Sequence, residues 1–579
     1  MPFHHEDGNS GAVVVDKDKV NDIQAQVEQK GVKFINLVED AKVADEDQHV
    51  DLGVLTAFRT HWKAALWSMA ISTCLVMEGY DLVIINSFYG QRYFKNKFGE
   101  LDPATGNKII TAPWQTGLSN SALCGEIIGL GINGWASERF GYRRTLMAAL
   151  AGMFCTIFAP VFAPSLPVLA LGEVLQGIPW GMFQTLTTAF AVEICPQTLR
   201  HYLTTYVCFC WGLGIFLSSV VVRATLNMTG EWSWRLPFVL QWVWPVPLFL
   251  CAYYVPESPW WLVRKGRFED AKDSLRRLAT KKTYSEKSFE QTVAMMVHTS
   301  ALEKAETKGA SWLDCFRGIN LRRTEIVCVT WAFQWLCGNP LMSYSVVFYQ
   351  RAGISETNAF NLNIVMNTTY MIGTVISWKL MDHIGRRTIY TSGGVISCLV
   401  LALIGGLGFG PSSNTSISWA IGSLLIAFAF FYNCTIGPVC YSIVSEIPSG
   451  RLRAKSIVLA RLTYNLTGLV TNTLTPRMLS PDAWNWGAKG ALLYLGTCAL
   501  VTLWCFFRLP ETRHRSFGEV ELLFEKRISA RKFSSIEVNQ FATHGLGAPL
   551  ERTGSQVTDS KSSYSEKDSN RVVVATLDH

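Results

Sequence analysis

The sequence predicts an all-α membrane protein with twelve transmembrane helices in two six-helix pseudo-repeats. Of its 579 residues, 49% are hydrophobic and only 17% are charged, below the roughly 25% charged residues of soluble domains. Apolar runs of about 20 residues recur along the chain, and each is long enough to cross a bilayer as a helix. Motifs repeated in the same order in the two halves add the third observation. A soluble protein of this length would bury shorter apolar runs broken by polar faces.

Hydropathy locates the twelve segments. In chain order they are 63–88, 113–136, 144–164, 167–190, 202–223, 235–255, 324–349, 358–380, 388–408, 417–443, 455–476 and 487–508. The loops after segments 2, 8 and 10 and the stretch 256–323 are rich in Lys and Arg. An even number of segments separates these loops, so they lie on one side, which the positive-inside rule predicts to be the cytoplasm. Both termini are then cytoplasmic. The loop 91–112 is also basic and disagrees with this topology.

Three pairs of motifs indicate an internal duplication. Glu138-Arg-Phe-Gly-Tyr-Arg-Arg144 corresponds to Asp382-His-Ile-Gly-Arg-Arg387, Glu193-Ile-Cys-Pro-Gln-Thr-Leu-Arg200 to Glu446-Ile-Pro-Ser-Gly-Arg-Leu-Arg453, and Pro256-Glu-Ser-Pro259 to Pro510-Glu-Thr512. All six follow an even-numbered segment and have similar offsets between halves. Duplicated halves place a substrate site near the bilayer midplane and permit alternating access by rocking.

The chain divides at these boundaries. Residues 1–60 are a polar, largely disordered N-terminal tail, 61–255 the first six-helix bundle, and 256–323 a partly helical linker. Residues 324–508 form the second bundle, and 509–579 a largely disordered C-terminal tail rich in Ser, Thr and charge.

Several charged side chains fall inside the apolar segments. Glu78 and Asp81 lie three residues apart on the first segment, Glu126 lies on the second and Arg461 on the eleventh. A charge at the bilayer centre costs about 2.5–3.5 kcal/mol, so these residues need a reason to be there. One interpretation is proton coupling, because burial favours the neutral carboxyl group and Arg461 would favour the ionised one. The alternative is that Arg461 neutralises one carboxylate and joins helices. Glu173 is placed near the start of the fourth segment, where a water-exposed position explains it equally well.

The motifs resemble those of the sugar porters of the major facilitator superfamily. Several stretches are more similar still to fungal maltose (α-glucoside) proton symporters: Met77-Glu-Gly-Tyr-Asp81, Pro179-Trp-Gly-Met-Phe-Gln184, Pro256-Glu-Ser-Pro-Trp-Trp-Leu-Val263, Val444-Ser-Glu-Ile-Pro448, Ile457-Val-Leu-Ala-Arg461 and Trp484-Asn-Trp-Gly-Ala-Lys489. The resemblance implies the major facilitator fold, plasma-membrane residence and sugar uptake with a proton. It also implies that Glu78, Asp81, Glu126 and Arg461 form the proton-coupling cluster. The proton is a co-substrate, and no cofactor or metal is expected.

Sugar recognition requires amide and hydroxyl groups together with aromatic faces. The candidate substrate-binding residues are Gln334, Asn339, Tyr344, Asn367, Tyr441, Tyr464 and Asn465. Gln334, Tyr441 and Tyr464 stand where sugar porters place binding residues, whereas each of the seven could instead be a polar group that packs helices. Hexose porters have Gln-Gln-Leu-Ser-Gly-Ile-Asn where this chain has Gln334-Trp-Leu-Cys-Gly-Asn-Pro340, which argues against a simple hexose carrier.

Charged residues at the predicted cytoplasmic helix ends form a candidate gate: Arg139, Arg143, Glu193, Arg200, Asp382, Arg386, Glu446 and Arg453. They either lock the halves in the outward-facing state or serve as solvated anchors of positive-inside type.

The predicted function is proton-coupled uptake of a maltose- or sucrose-type α-glucoside across the plasma membrane. Transport of a monosaccharide or polyol, coupled or facilitative, is the first alternative, and a non-transporting sugar receptor is the second. An enzyme is not expected, nor is nucleic-acid binding, because no clustered basic face lies between the segments. The expected partners are the sugar and the bilayer, with the protein a monomer. Sequons at Asn227 and Asn414 predict glycosylation of outer loops.

Overall fold

The computed structural model describes residues 54–536 except for 102–106, 196, 280–285, 308–310, 412–414, 450–451, 481, 514 and 516. Each of the twelve predicted segments coincides with a helix or a run of consecutive helices. The all-α prediction is therefore confirmed. Most of the N-terminal tail, the sequon at Asn414 and the chain beyond 536 lie outside the described residues.

The first bundle consists of eleven α-helices and a short hairpin. The helices are α1 (Val54–Thr60), α2 (Trp62–Ser72), α3 (Cys74–Phe88), α4 (Arg92–Phe98), α5 (Ala112–Phe140), α6 (Tyr142–Thr156), α7 (Phe158–Val161), α8 (Leu166–Ile194), α9 (Gln197–Thr225), α10 (Trp232–Leu240) and α11 (Pro245–Tyr254). The strands β1 (Glu100–Leu101) and β2 (Lys108–Ile109) are antiparallel. A 3-10 turn, Gln241–Val243, joins α10 to α11.

The described part of the linker is partly helical. It contains α12 (Pro259–Arg264), α13 (Phe268–Leu278), α14 (Glu286–Thr307) and the 3-10 turn Trp312–Phe316. Ser258 caps α12 by accepting a hydrogen bond from the Trp261 N–H, in keeping with the preference for serine at this position.

The second bundle repeats the pattern of long helices broken at polar or glycine residues. Its helices are α15 (Gly318–Leu336), α16 (Asn339–Ser343), α17 (Ser345–Arg351), α18 (Glu356–His383), α19 (Arg386–Leu407), α20 (Thr415–Cys434), α21 (Ile436–Glu446), α22 (Arg453–Leu479) and α23 (Ala491–Arg508), with the 3-10 turn Gly487–Gly490 before α23. The break between α15 and α16 is at Gly338, whose φ of 105° favours glycine.

Two ordered pieces correct the predicted tails. Helix α1 begins at Val54, inside the segment predicted to be tail. After α23, helix α24 (Phe517–Glu525) and the 3-10 turn Ala530–Lys532 pack against the second bundle. Buried Arg323 pairs with Glu521 at 3.2 Å and lies over the Phe524 ring, which explains why this part of the tail is ordered.

Eight stretches of the described chain are long and apolar enough to cross a membrane by length and composition. Of the twelve predicted segments, the four that fall short lie in the helical stretches 112–140, 318–351, 356–383 and 453–479. All four stretches contribute polar contacts between the two bundles. Their lower hydropathy therefore reflects faces turned toward the other half of the protein.

The bundles meet mainly through two helix pairs, α5 with α22 and α9 with α18. Within the first bundle, α5 and α8 approach each other at glycines. A Cβ on Gly129 would lie 2.1 Å from the Ile178 carbonyl oxygen, and one on Gly181 would lie 2.2 Å from that of Glu126. Small residues at such crossings let membrane helices pack closely.

We call the end of the bundles that carries the Gly-Tyr-Arg-Arg and Gly-Arg-Arg turns the motif end. Polar contacts between the bundles lie at the middle and at the opposite end. At that opposite end the Arg92 N–H donates to Glu356 at 3.0 Å, and Gln350 Nε2 donates to the Gly90 carbonyl at 3.1 Å. Among the described residues, the ion pairs near the motif end join residues within one bundle or its attached linker and tail. The halves are thus in contact opposite the motif end.

Candidate substrate and proton site

Gln184 lies at the centre of the buried charges. Its Nε2 donates to Glu78 Oε1 at 2.6 Å and to Glu126 Oε2 at 3.2 Å, and its Oε1 accepts from Arg461 Nε at 2.7 Å. The two carboxyl groups are 2% and 1% exposed. Arg461 on α22 therefore reaches the acids of the first bundle through an amide rather than by a direct ion pair. We call Glu78, Glu126, Gln184 and Arg461 the Arg461 cluster.

Aromatic rings surround the guanidinium group. Arg461 Cζ lies 4.4 Å from the Tyr464 ring centroid and 4.9 Å from that of Trp331. Trp331 also makes edge-to-face contacts with Tyr441 and Tyr464, at 4.9 and 5.2 Å between centroids. Cation–π contacts of this kind stabilise a desolvated cation by up to about 2 kcal/mol. The rings therefore help to hold Arg461 in an apolar setting.

The structure places Asp81 away from Arg461. Asp81 Oδ1 accepts a hydrogen bond from Gln241 Nε2, and the Asp81 carboxyl group lies within reach of that of Glu173 on α8. Glu173 is only 1% exposed, so the interpretation of a water-exposed helix end is wrong. The four residues expected to form one cluster are thus divided between two sites.

Three candidate substrate residues lie beside the Arg461 cluster. Tyr441 and Tyr464 belong to the aromatic group around Arg461. Gln334 Nε2 donates to the Gly437 carbonyl at 3.3 Å, and its Oε1 accepts from the Tyr432 hydroxyl at 3.4 Å. Asn465, on the helix of Arg461, is fully buried, and its amide nitrogen and oxygen make no hydrogen bond in the described chain.

The remaining three lie elsewhere. The Tyr344 hydroxyl donates to Ser119 at 2.7 Å, and Asn367 Nδ2 donates to Ser219 at 2.6 Å. Both bonds join the second bundle to the first. Asn339 opens α16 beside the helix break at Gly338. In this conformation Tyr344 and Asn367 act as contacts between the bundles.

The candidate gate residues at the motif end are arranged in two similar sets. Glu193 accepts from the Tyr142 hydroxyl at 2.9 Å and pairs with Arg264 at 2.7 Å, while Glu446 pairs with Arg386 at 3.4 Å. The cation on Glu193 is thus a linker residue that the predicted set omitted.

The other predicted gate residues have different surroundings. Arg139 lies over the Trp135 ring at 5.7 Å, and Arg143 lies over the Tyr253 ring at 5.3 Å. The side chains of Arg200 and Asp382 lie outside the described residues, and Arg453 begins α22. The Glu193–Arg264 pair joins the first bundle to the linker and the Arg386–Glu446 pair lies within the second bundle, so neither pair links the two halves in this conformation.

Sequence reasoning missed several site residues. Trp211 Nε1 donates to Glu78 Oε1 at 3.2 Å, and Trp331 packs on Arg461. Gln184 ends the Pro-Trp-Gly-Met-Phe-Gln stretch that carried the resemblance, so its place in a named motif was the available signal. Trp331 lies one helical turn before Gln334, a spacing that puts both on one helix face.

A protein-family comparison identifies the chain. The model named Sugar (and other) transporter matches residues 67–524, which includes both bundles and the linker. The chain belongs to the sugar transporter family.

Curated relatives within this transporter family are yeast permeases rather than enzymes. The chain is 41% identical over 515 residues to a general alpha-glucoside permease of Saccharomyces cerevisiae, covering 88% of this chain and 83% of that protein. It is 40% identical over 515 residues to a maltose permease of the same yeast, covering 87% and 82%.

Solved structures show the same fold. The proton:xylose symporter XylE aligns with a TM-score of 0.65 and 21% identity, covering 81% of this chain and 100% of the other. A partially occluded inward-open structure of XylE from E. coli aligns with a TM-score of 0.64 and 19% identity, covering 79% and 100%. The transporter thus has the major facilitator fold.

Proposed function

We propose that this transporter takes up an α-glucoside disaccharide together with a proton by alternating access. The observation that carries the proposal is the Arg461 cluster, in which two buried carboxyl groups of the first bundle meet a cation of the second through Gln184. The yeast relatives are an alpha-glucoside permease and a maltose permease, which supports the substrate class.

The aromatic surroundings of the cluster suit a sugar with more than one ring. Trp331, Trp335, Tyr441 and Tyr464 present ring faces within one contiguous group. The indole N–H groups of Trp331 and Trp335 are buried and make no hydrogen bond in the described chain. Such groups can donate to sugar hydroxyls while the rings cover the apolar faces of the sugar.

Proton coupling follows from the position of Arg461 on the opposite bundle. With Arg461 close, its charge favours the ionised carboxylates of Glu78 and Glu126, so a proton is released. When the bundles separate at this level, the acids lose the cation and favour the protonated form. The cluster therefore converts the relative position of the bundles into proton binding and release.

Orientation and location complete the proposal. The motif end faces the cytoplasm, as the Arg-rich loops indicate, and both termini lie there. The described conformation, in contact opposite the motif end, is then inward-facing and matches the proton-releasing state. We place the protein in the plasma membrane as a monomer, with the proton as co-substrate and no other cofactor.

The test is uptake in yeast cells that lack their own sugar carriers. Addition of maltose or sucrose to de-energised cells in a weakly buffered medium should raise the external pH, and a protonophore should abolish accumulation. Cells carrying an empty vector are the control. Sugar uptake without proton movement would leave facilitative transport as the function, and preference for xylose, glucose or a polyol would select the monosaccharide alternative. Sugar binding without uptake would point to a receptor.

A further inference from the structure

A second pair of carboxyl groups is buried outside the Arg461 cluster. Asp81 on α3 is 0% exposed and Glu173 on α8 is 1% exposed. Their carboxyl groups lie within hydrogen-bonding reach of each other. Two ionised carboxylates only repel, so a hydrogen bond between them requires that one carries a proton.

The hydrogen bonds around the pair run in one direction. Gln176 Nε2 donates to Gln241 Oε1 at 3.1 Å, and Gln241 Nε2 donates to Asp81 Oδ1. Asp81 therefore accepts the last hydrogen bond in a chain of two amides. An ionised carboxylate is a strong acceptor and fits this position. Glu173, one helical turn from Gln176, is then the member that carries the proton.

The protein supplies no donor that could replace this proton. Asp81 Oδ2, Glu173 Oε1 and Gln176 Oε1 are buried and receive no hydrogen bond from an N–H or O–H group of the described chain. Among the described residues, no Lys or Arg pairs with either carboxyl group. Removing two charges from water without a counter-ion costs several kcal/mol per ion, so the doubly ionised state is strongly disfavoured.

The titratable groups facing the pair are few. Tyr80 interacts with Asp81, and Tyr89 interacts with Glu173. Both are phenols on or directly after α3, and the Tyr80 hydroxyl donates to the Pro237 carbonyl at 3.0 Å. Glu126 and Arg461 interact instead with Glu78. The pair is thus electrically separate from the Arg461 cluster.

Position gives the pair a place in the transport path. Helix α8 begins at Leu166 and ends at Ile194 at the motif end, so Glu173 lies nearer the opposite end than Gln184 does. Asp81 is one helical turn from Glu78 on α3. Every residue of the pair and its amide chain belongs to the first bundle, so their contacts need not change when the bundles rock.

The geometry points to a proton-binding site at which Asp81 and Glu173 hold one shared, exchangeable proton, separate from the Arg461 cluster and between it and the end opposite the motifs. The role of the pair rests on the proposed function, whereas the existence of the proton site does not. In proton-coupled transport the pair is the loading site. The O–H bond at the pair breaks as an O–H bond forms at Glu78, and a proton from the opposite end then restores the pair.

Infrared spectroscopy of the purified full-length protein in lipid tests the site without sugar or transport. The wild type should show the C=O stretch of a buried protonated carboxyl group at neutral pH, and this band should disappear as the pH is raised. Glu173→Gln should remove this band, whereas Asp81→Asn should shift its frequency, because the carboxylate that accepts from Glu173 is replaced by an amide. The matched control combines Glu78→Gln with Glu126→Gln and should leave the band unchanged. Absence of the band in the wild type, its survival in the folded Glu173→Gln variant, or an unshifted band in the folded Asp81→Asn variant would overturn the assignment.

A second measurement separates a proton site from a packing contact. In cells, the rise of uptake on acidification should shift in Glu173→Gln and Asp81→Asn, and the double variant should shift no further than a single one, because either change breaks the same proton-sharing pair. Unchanged pH profiles with lowered expression would show a structural pair instead. If the band behaves as expected but no variant or wild type moves protons with sugar, the proton site stands and the proposed symport fails.

Discussion

Glu257 and Glu511 occupy equivalent places in the two halves, each accepting the first backbone N–H groups of the helix that begins at the Gly-Tyr-Arg-Arg or the Gly-Arg-Arg turn. Glu257 Oε1 accepts from Tyr142 N at 2.9 Å, and Glu511 Oε1 accepts from Arg386 N at 2.8 Å. Both carboxylates lie at helix N-termini, where N–H groups lack partners and the dipole favours negative charge.

We expect Glu511→Ala to destabilise the protein by about 0.5–2 kcal/mol, the usual loss when an N-terminal cap is removed. Glu257→Ala should have a similar effect, because its partners are equivalent. Thermal unfolding of the purified protein in detergent measures the change. Glu138→Ala, at an exposed carboxylate of the same motif, is the control. Equal stability of Glu511→Ala and Glu138→Ala would show that the cap contributes nothing.

A second prediction concerns the crossing of α5 and α8. Gly129→Ala should destabilise the transporter by about 1–3 kcal/mol, as overpacking does, because the new Cβ would meet the Ile178 carbonyl oxygen at 2.1 Å. Gly131→Ala is two residues away on the same helix and meets nothing within 4 Å. Surface expression and unfolding temperature compare the two. Matching losses in both variants would remove the steric explanation.

Neutralising the buried acids should uncouple transport. In the triple variant Glu78→Gln, Asp81→Asn and Glu126→Gln, amides keep the shape and much of the hydrogen bonding but cannot ionise. The variant should equilibrate sugar without accumulating it. The steady-state ratio of a non-metabolised sugar inside and outside the cell, at acidic external pH, is the measurement. A well-expressed triple variant that accumulates sugar as the wild type does would show that these acids are not the proton site.

Gln184→Leu should impair coupling although it removes no charge. The substitution deletes the hydrogen bonds of Gln184 to Glu78, Glu126 and Arg461. Each buried group left unsatisfied costs about 1–3 kcal/mol. We expect lower accumulation together with lower expression. Thr188→Val, one helical turn after Gln184, is the control, because its hydroxyl donates to backbone carbonyls of α8. A Gln184→Leu carrier with wild-type accumulation would exclude the bridging role.

Competition between unlabelled sugars and a labelled α-glucoside should reveal which class of sugar the transporter prefers. Maltose or sucrose should inhibit uptake of a labelled α-glucoside better than glucose does, because Trp335 packs on Tyr464 at 5.3 Å and extends the aromatic surface. Trp335→Gln should weaken inhibition by maltose more than inhibition by glucose. Stronger inhibition of the wild type by glucose or xylose would contradict the assignment of substrate class.

The helices could be predicted because bilayer-length apolar runs have few alternatives, even for the polar α18 and α22. The division of the buried acids between two sites could not be predicted from the sequence. Glu78 and Asp81 are one turn apart, and their partners Gln184 and Gln241 come from different helices. Only the three-dimensional crossing of α3 with α8 and α10 decides which amide meets which acid. The order of α24 likewise depends on Arg323, which lies far away in the chain.

The equivalent placement of Glu257 and Glu511 has a consequence for biosynthesis. Each carboxylate comes from the segment that leaves its bundle and binds the third long helix of that same bundle. The first bundle can therefore close as soon as Glu257 has been made, before the second bundle emerges from the ribosome. Domains that complete themselves in this order fold as units during synthesis. We therefore expect each half to fold as a unit, with the second assembling against a first that is already complete.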